Sequence, residues 1–266
     1  FNVGSLYSAF GIGDIRYSAS QRTDAMGIQG IGLLGNYINN LNPASNTYLN
    51  STLVTLGMKA VLLKTSNNLV SAQFSDANVT GFNLGIPVWE QNGLVLLMGF
   101  NPYSTMQYKI TGTVNQNGTV FTETFAGLGG LTRINFGMAG RLLRFLSLGA
   151  EYNYAFGNIK ELTFFNFNSS STLNTYIKSE NDIKGSFLKG GAVFELGQLF
   201  PRSKVFDNLN IGVFYQSKLN LSSKVDLIHF TTLGFDTSNT AYSDVEVPES
   251  YGFGISKQIG RQLIVS

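Results

Sequence analysis

The sequence predicts an all-β protein, an antiparallel transmembrane β-barrel preceded by an N-terminal plug, and three observations predict it. The first is a period-two alternation that recurs from about Ser51 to the end of the chain. In its clearest instance Leu146, Leu148, Ala150, Tyr152, Tyr154 and Phe156 share one face, while Ser147, Gly149, Glu151, Asn153 and Ala155 share the other. Successive strand side chains point to opposite faces, so this run has one fully apolar face and one wet face. The second is composition: 43% of the 266 residues are hydrophobic and only 13% are charged, about half the usual charged share of a soluble chain. The third is that no stretch approaches the roughly 20 apolar residues of a spanning helix. Barrel strands need no such stretch, because they hide their polar half from lipid.

Residues 1–48 differ from the rest. They hold Gly4, Gly11, Gly13, Gly27, Gly30, Gly32 and Gly35, the charges Asp14, Arg16, Arg22 and Asp24, and no clean alternation. A compact irregular or short-helical plug, a hatch filling the lumen, is the expectation for 1–48, with barrel strands over 49–266. Phe1-Asn2-Val3 is not the basic start of an export signal, so a signal peptide is expected to have been removed or to lie outside the chain.

Strand-like runs follow in order. Val54, Leu56, Met58, Ala60 and Leu62 share one face of the first; 81–88 and 93–100 flank a turn at Glu90-Gln91-Asn92. Met106, Tyr108 and Ile110 oppose Gln107, Lys109 and Thr111; Ile134, Phe136, Met138 and Leu142 oppose Arg133, Asn135, Gly137 and Arg141. Leu188, Ala192, Phe194 and Leu196 oppose Lys189, Gly191 and Glu195, and Leu209, Ile211, Val213 and Tyr215 oppose Asn210, Gly212 and Gln216. Asn67-Asn68, Asn117-Gly118 and Pro201-Arg202-Ser203 read as turns, and the polar stretches 166–181 and 231–247 as extracellular loops. The runs amount to about ten to twelve strands. Because Leu263-Ile264-Val265-Ser266 stops in mid-run, a fragment lacking its C-terminal strands is expected.

The chemistry-bearing residues argue against catalysis. Gly30-Ile31-Gly32-Leu33-Leu34-Gly35 spells a dinucleotide-binding pattern, but no strand precedes it and no acidic residue follows before Asp76, so tight packing explains it better. His229 is the single histidine and has no nucleophile motif beside it. Asp182, Asp226, Asp236 and Asp244 follow no calcium-loop spacing, and cysteine is absent. A net charge of +2 does not suggest a nucleic-acid partner. Neither enzyme activity nor a cofactor or metal is expected. Lys59, Lys109, Arg133, Arg141, Glu151, Lys189 and Glu195 fall on the polar faces of their strands. They are candidate lumen-facing charges, there either to neutralise one another and the plug or to line a path.

Tyr37-Ile38-Asn39-Asn40-Leu41-Asn42-Pro43-Ala44-Ser45, between the glycine-rich segment and the first strand, resembles the signature of the FadL family of outer-membrane transporters. Tyr7-Ser8-Ala9-Phe10-Gly11-Ile12-Gly13-Asp14, Arg22, Met26-Gly27, Gly30-Ile31, Gly99-Phe100-Asn101-Pro102-Tyr103-Ser104 and Gly127-Leu128-Gly129-Gly130-Leu131 look similar to the same family. The resemblance implies a barrel of about fourteen strands in the outer membrane of a Gram-negative-type envelope. It also implies a hatch signature at Asn42, Pro43 and Ala44, and passive, porin-like passage of long-chain fatty acids or other hydrophobic compounds. A monomer in contact with membrane lipid and lipopolysaccharide goes with that. The alternatives are a FadL-like component of a protein secretion system and a structural outer-membrane barrel.

Overall fold

A computed structural model describes residues 6–16, 23, 30–66, 71–116, 119–167, 174–231, 234–259 and 263–265. The turns read at Asn67-Asn68 and Asn117-Gly118, and Arg22, Asp24 and Met26-Gly27, lie outside them.

The strands are β1 (Asp14–Ile15), β2 (Leu53–Ser66), β3 (Ser71–Trp89), β4 (Leu94–Pro102), β5 (Ser104–Gln116), β6 (Thr119–Leu143), β7 (Leu146–Phe167), β8 (Thr175–Glu195), β9 (Leu209–Gln216), β10 (Leu219–Thr231), β11 (Gly234–Val247), β12 (Ser250–Ile259) and β13 (Leu263–Val265). Every pairing is antiparallel. Several strands are halves of one bent pass. β6 pairs with β5 up to Gly129 and with β4 from Thr132, so β4 and β5 lie end to end along it. β9 and β10 lie end to end along β8, and β12 and β11 along those two. From β2 to β13 the described strands therefore make nine passes of a meander, where the sequence suggests about ten to twelve strands. Alternation marks each half strand but does not tell a bend within a pass from a turn between two.

The sheet path runs from β13 through β12, β9, β8, β7, β6, β4 and β3 to β2, and among the described residues no ladder joins its two ends. Over these residues the architecture is an all-β antiparallel wall whose two ends are not joined. The loops expected at 166–181 and 231–247 are corrected: β7 runs to Phe167 and β8 begins at Thr175, inside the first, and β10 and β11 fill nearly all of the second. Polar composition suggested loops, but Thr, Ser, Tyr and Ile suit a pleated ladder, and thirteen register positions join β10 to β11.

The two faces differ sharply. On the outer face Leu148, Tyr152, Leu188, Phe136 and Met138 are exposed, Leu188 by 61%. On the inner face Ser147, Asn153, Ala155 and Val193 are fully buried. Burial there comes partly from the chain's own N-terminal residues. Ile12 joins Tyr103, Met106, Leu131, Ile159 and Phe187 in one apolar cluster, and Ile38 and Leu49 join Val95 and Leu97 in a second.

Candidate functional site

The site is the part of the inner face covered by residues 30–49. Locally that segment braces itself with asparagines. The Asn46 side chain accepts from the Asn39 amide at 2.8 Å and donates to Asn39 O at 2.9 Å and Pro43 O at 3.0 Å. The Asn39 side chain accepts from Leu41 N and donates to Gly30 O, which closes the loop on itself. Asn42 then caps the short 3-10 turn Pro43–Tyr48: its backbone is extended and its Oδ1 accepts from Ala44 N at 3.1 Å. Pro43 starts the turn, where its missing N–H costs nothing.

Glycines let the segment lie flat on the wall. Gly149 and Gly191 are register partners on β7 and β8. A Cβ on the first would strike the Pro43–Ala44 backbone, and one on the second would strike the Asn42 side chain. Gly212 and Gly254, partners on β9 and β12, receive Ile31 and Gly32 in the same way. Of the glycines at 30, 32 and 35, Gly32 is the one that packs against the wall: a Cβ there would meet the backbone of Gly212, Gly254 and Asn210. Two cross-strand glycine pairs make a lane no wider than a backbone.

Polar contacts fix the segment along this lane. Asn42 Nδ2 donates to Ile31 O at 2.9 Å and to Ala192 O at 3.2 Å; Lys189 Nζ donates to Asn40 O at 2.8 Å. Thr47 Oγ1 donates to Ala44 O at 3.3 Å and meets Ser147 Oγ at 3.0 Å; Ser256 Oγ donates to Gly32 O at 2.7 Å. Tyr48 OH donates to Glu195 Oε2 at 2.6 Å, and the Arg141 guanidinium lies 4.5 Å over the Tyr48 ring. Burial first, then the Glu195 hydrogen bond, pushes the Tyr48 phenol up to about 12. Asn40, Asn83, Asn101 and Asn135 form an amide chain across β3, β4 and β6, joined at 3.1, 2.8 and 3.2 Å. Both amide atoms of fully buried Asn153, cross-strand from Asn135, lack a protein partner among the described residues.

The structure brings together most residues singled out from sequence. Asn42, Pro43, Ala44, Arg133, Glu151, Lys189 and Glu195 are buried at or beside this interface, and Arg141 is half-buried there. Glu151 and Lys189 are register partners, so opposite charges sit side by side under the segment. Lys59 and Lys109 are exposed and stand away from it. Sequence reasoning missed Tyr48, Asn83, Asn101 and the glycine pairs. Asn135, Asn153 and Gly149, which alternation does place on the polar faces, share the parity of the charges and so come to the same inner face. His229 is half-buried on β10, away from the segment.

A model of the BamG family matches residues 2–265, and the chain belongs to that family. No curated protein and no solved structure matches. The match overturns the resemblance to FadL-like transporters. Asn-Pro-Ala is a general solution for a capped turn against a wall, and its letters do not single out one family. Passage of long-chain fatty acids or other hydrophobic compounds falls with the resemblance. So do the secretion-barrel and structural-barrel alternatives and the picture of a monomer whose partner is a small hydrophobic ligand. The family is tied to the outer-membrane BAM machinery of Gram-negative cells, so an outer-membrane setting stands at that coarse level.

Proposed function

We propose that this chain is a membrane-embedded accessory of outer-membrane protein assembly that acts by contact within the BAM complex and catalyses no reaction. The observation that carries this is the family match across nearly the whole chain. The geometry fits it in three ways. The apolar outer faces of β6, β7 and β8 suit an anchor in lipid. Residues 30–49, a hatch in the sense that they cover the inner face, fill it at mid-strand and favour a rigid body over a conduit. The far halves of β7, β8 and β10 carry Lys160, Lys178, Glu180, Lys224 and Asp226, a surface suited to a polar partner.

An affinity-tagged chain solubilised from native outer membranes is expected to copurify with the BAM complex, and its depletion to lower the amount of folded outer-membrane protein. Solitary purification together with unchanged levels of folded outer-membrane proteins would reject the proposal.

A further inference from the structure

At the end of the wall where β6 turns into β7, the chain leaves β8 at Glu195 and returns in β9 at Leu209. Glu195 N donates to Phe145 O at 2.8 Å, which ties the two connections together. The longer one opens with a single helical turn, α1 (Leu196–Leu199). Gly197 lets it fold back on itself, because a Cβ there would crowd Phe206 O and the backbone amide of Asn208. Asn208 leads into β9 at φ +52, a left-handed conformation that asparagine tolerates. Between this connection and residues 34–35 lies a cavity of about 310 Å³, lined by Glu195, Gln198, Asp207, Asn208 and Asn210 together with Tyr48. Among the described residues two carboxylates line it and no lysine or arginine does.

Glu195 is only 7% exposed. Its Oε2 accepts from Tyr48 OH, while Oε1 is buried and has no partner among the described residues. Arg141 lies over the Tyr48 ring and makes no ion pair with Glu195 among them. A buried carboxylate oxygen without a donor costs stability that an incoming cation would restore. Asp207 is exposed and makes no ion pair among the described residues. We propose that this cavity is a socket for an arginine side chain of a partner polypeptide. The five donors of a planar guanidinium match two separate carboxylates and the amide oxygens of Gln198, Asn208 and Asn210. A small turn about the soft terminal torsion of Glu195 brings Oε1 to the incoming donor. The cavity is far larger than the shell of oxygens at about 2.3–2.6 Å that one calcium ion needs. Nor do the described residues gather three or more acidic, histidine or cysteine side chains around a metal-sized point. The identity of the partner, a subunit of the BAM complex, rests on the proposed function. The socket itself is tested with a small peptide on the isolated chain, so its failure and the failure of that function remain distinguishable.

The probe is a fluorescent tripeptide, glycine-arginine-glycine with both ends blocked, titrated against the full chain in detergent. Its control carries citrulline, which keeps the shape of arginine and loses the charge. The arginine peptide is expected to bind at least about tenfold more tightly than the citrulline peptide. Glu195→Gln is expected to weaken its binding by about tenfold and Asp207→Asn by about threefold. Glu249→Gln, at an exposed carboxylate that accepts from Tyr215 OH, is expected to bind as the parent chain does. Asp207 is exposed, so its variant tests the socket even where Glu195→Gln loosens the fold, and protease resistance of residues 30–49 reports on the fold of each. Equal binding of the two peptides, or no binding of either, overturns the proposal. Unchanged affinity in both Glu195→Gln and Asp207→Asn overturns it too, and so does displacement of the arginine peptide by an equal concentration of calcium.

Discussion

The same two strands, β7 and β8, behave as different materials in their two halves. In the near half, residues 146–156 and their partners, the outer face shows Leu148, Tyr152, Tyr154 and Leu188, and the inner face lies under residues 30–49. In the far half the outer face carries Asn158 bonded to Asp182 at 2.6 Å, Lys160 and Lys178 on Glu180 at 3.4 and 2.6 Å, and Phe164 stacked on Tyr176 at 4.1 Å. The ladder is continuous through both, from Leu146↔Phe194 to Phe165↔Thr175. Backbone pairing therefore does not mark the change of surface; side-chain partition does. The near half has about the 9–11 residues a tilted strand needs to cross a bilayer, and the proposed anchoring in lipid puts that half in the membrane and the far half outside it.

The largest expected effect tests that boundary. Tyr152→Arg places a charge in the near band and should destabilise the folded protein in vesicles by about 2–4 kcal/mol. Asn158→Arg, on the same face six residues on, should change stability by less than about 0.5 kcal/mol. Urea titrations of both variants measure this, and equal penalties would break the distinction between the halves.

The inner face offers the next comparison. Gly191→Leu in the near half drives a side chain into Asn42 and should cost about 1–3 kcal/mol. It should also open residues 30–49 to protease. Gly112→Ala on β5, where an added Cβ meets nothing within 4 Å, should be silent in both measurements. Asn42→Ala comes third. It removes the cap on Ala44 N and the bonds to Ile31 O and Ala192 O, for a loss of about 1–2 kcal/mol in the same titration.

The smallest effects are in pH, and they have opposite signs in the two regions. Tyr48 has its folded value raised to about 12, so its contribution is complete below the unfolded phenol value of about 10 and is lost as pH rises through the folded value. Tyr48→Phe should remove one late step from an ultraviolet tyrosine titration. Asp226 in the far half is lowered, first by the Lys224 hydrogen bond and then by Thr240. Its contribution is present above the unfolded value of about 4 and is lost as pH falls. The difference in thermal midpoint between the parent chain and Asp226→Asn should be small at pH 7 and close at about pH 3, because an exposed pair is screened.

Much of the site was legible. Parity alone placed Arg133, Glu151, Lys189 and Glu195 on one face, because alternation is local and period two leaves only two choices. Parity did not say what would cover that face. Lys189 meets Asn40 across 149 residues and Asn42 meets Ala192 across 150, and no window of sequence holds both partners. Nothing in the local sequence marks Tyr48, which becomes a contact only because Arg141 and Glu195 converge on it.

What the sequence determined by itself is therefore the material: strands, their two faces, a separate N-terminal stretch and the absence of a helix-type span. It did so because side-chain alternation, glycine content and hydropathy are properties of neighbours along the chain. The tertiary structure decided which half-strands join into one pass, and that paired glycines far apart in sequence form the lane for residues 30–49. Those outcomes rest on register and close approach between distant segments. Loop-closure entropy and packing settle such contacts only once the whole sheet is in place.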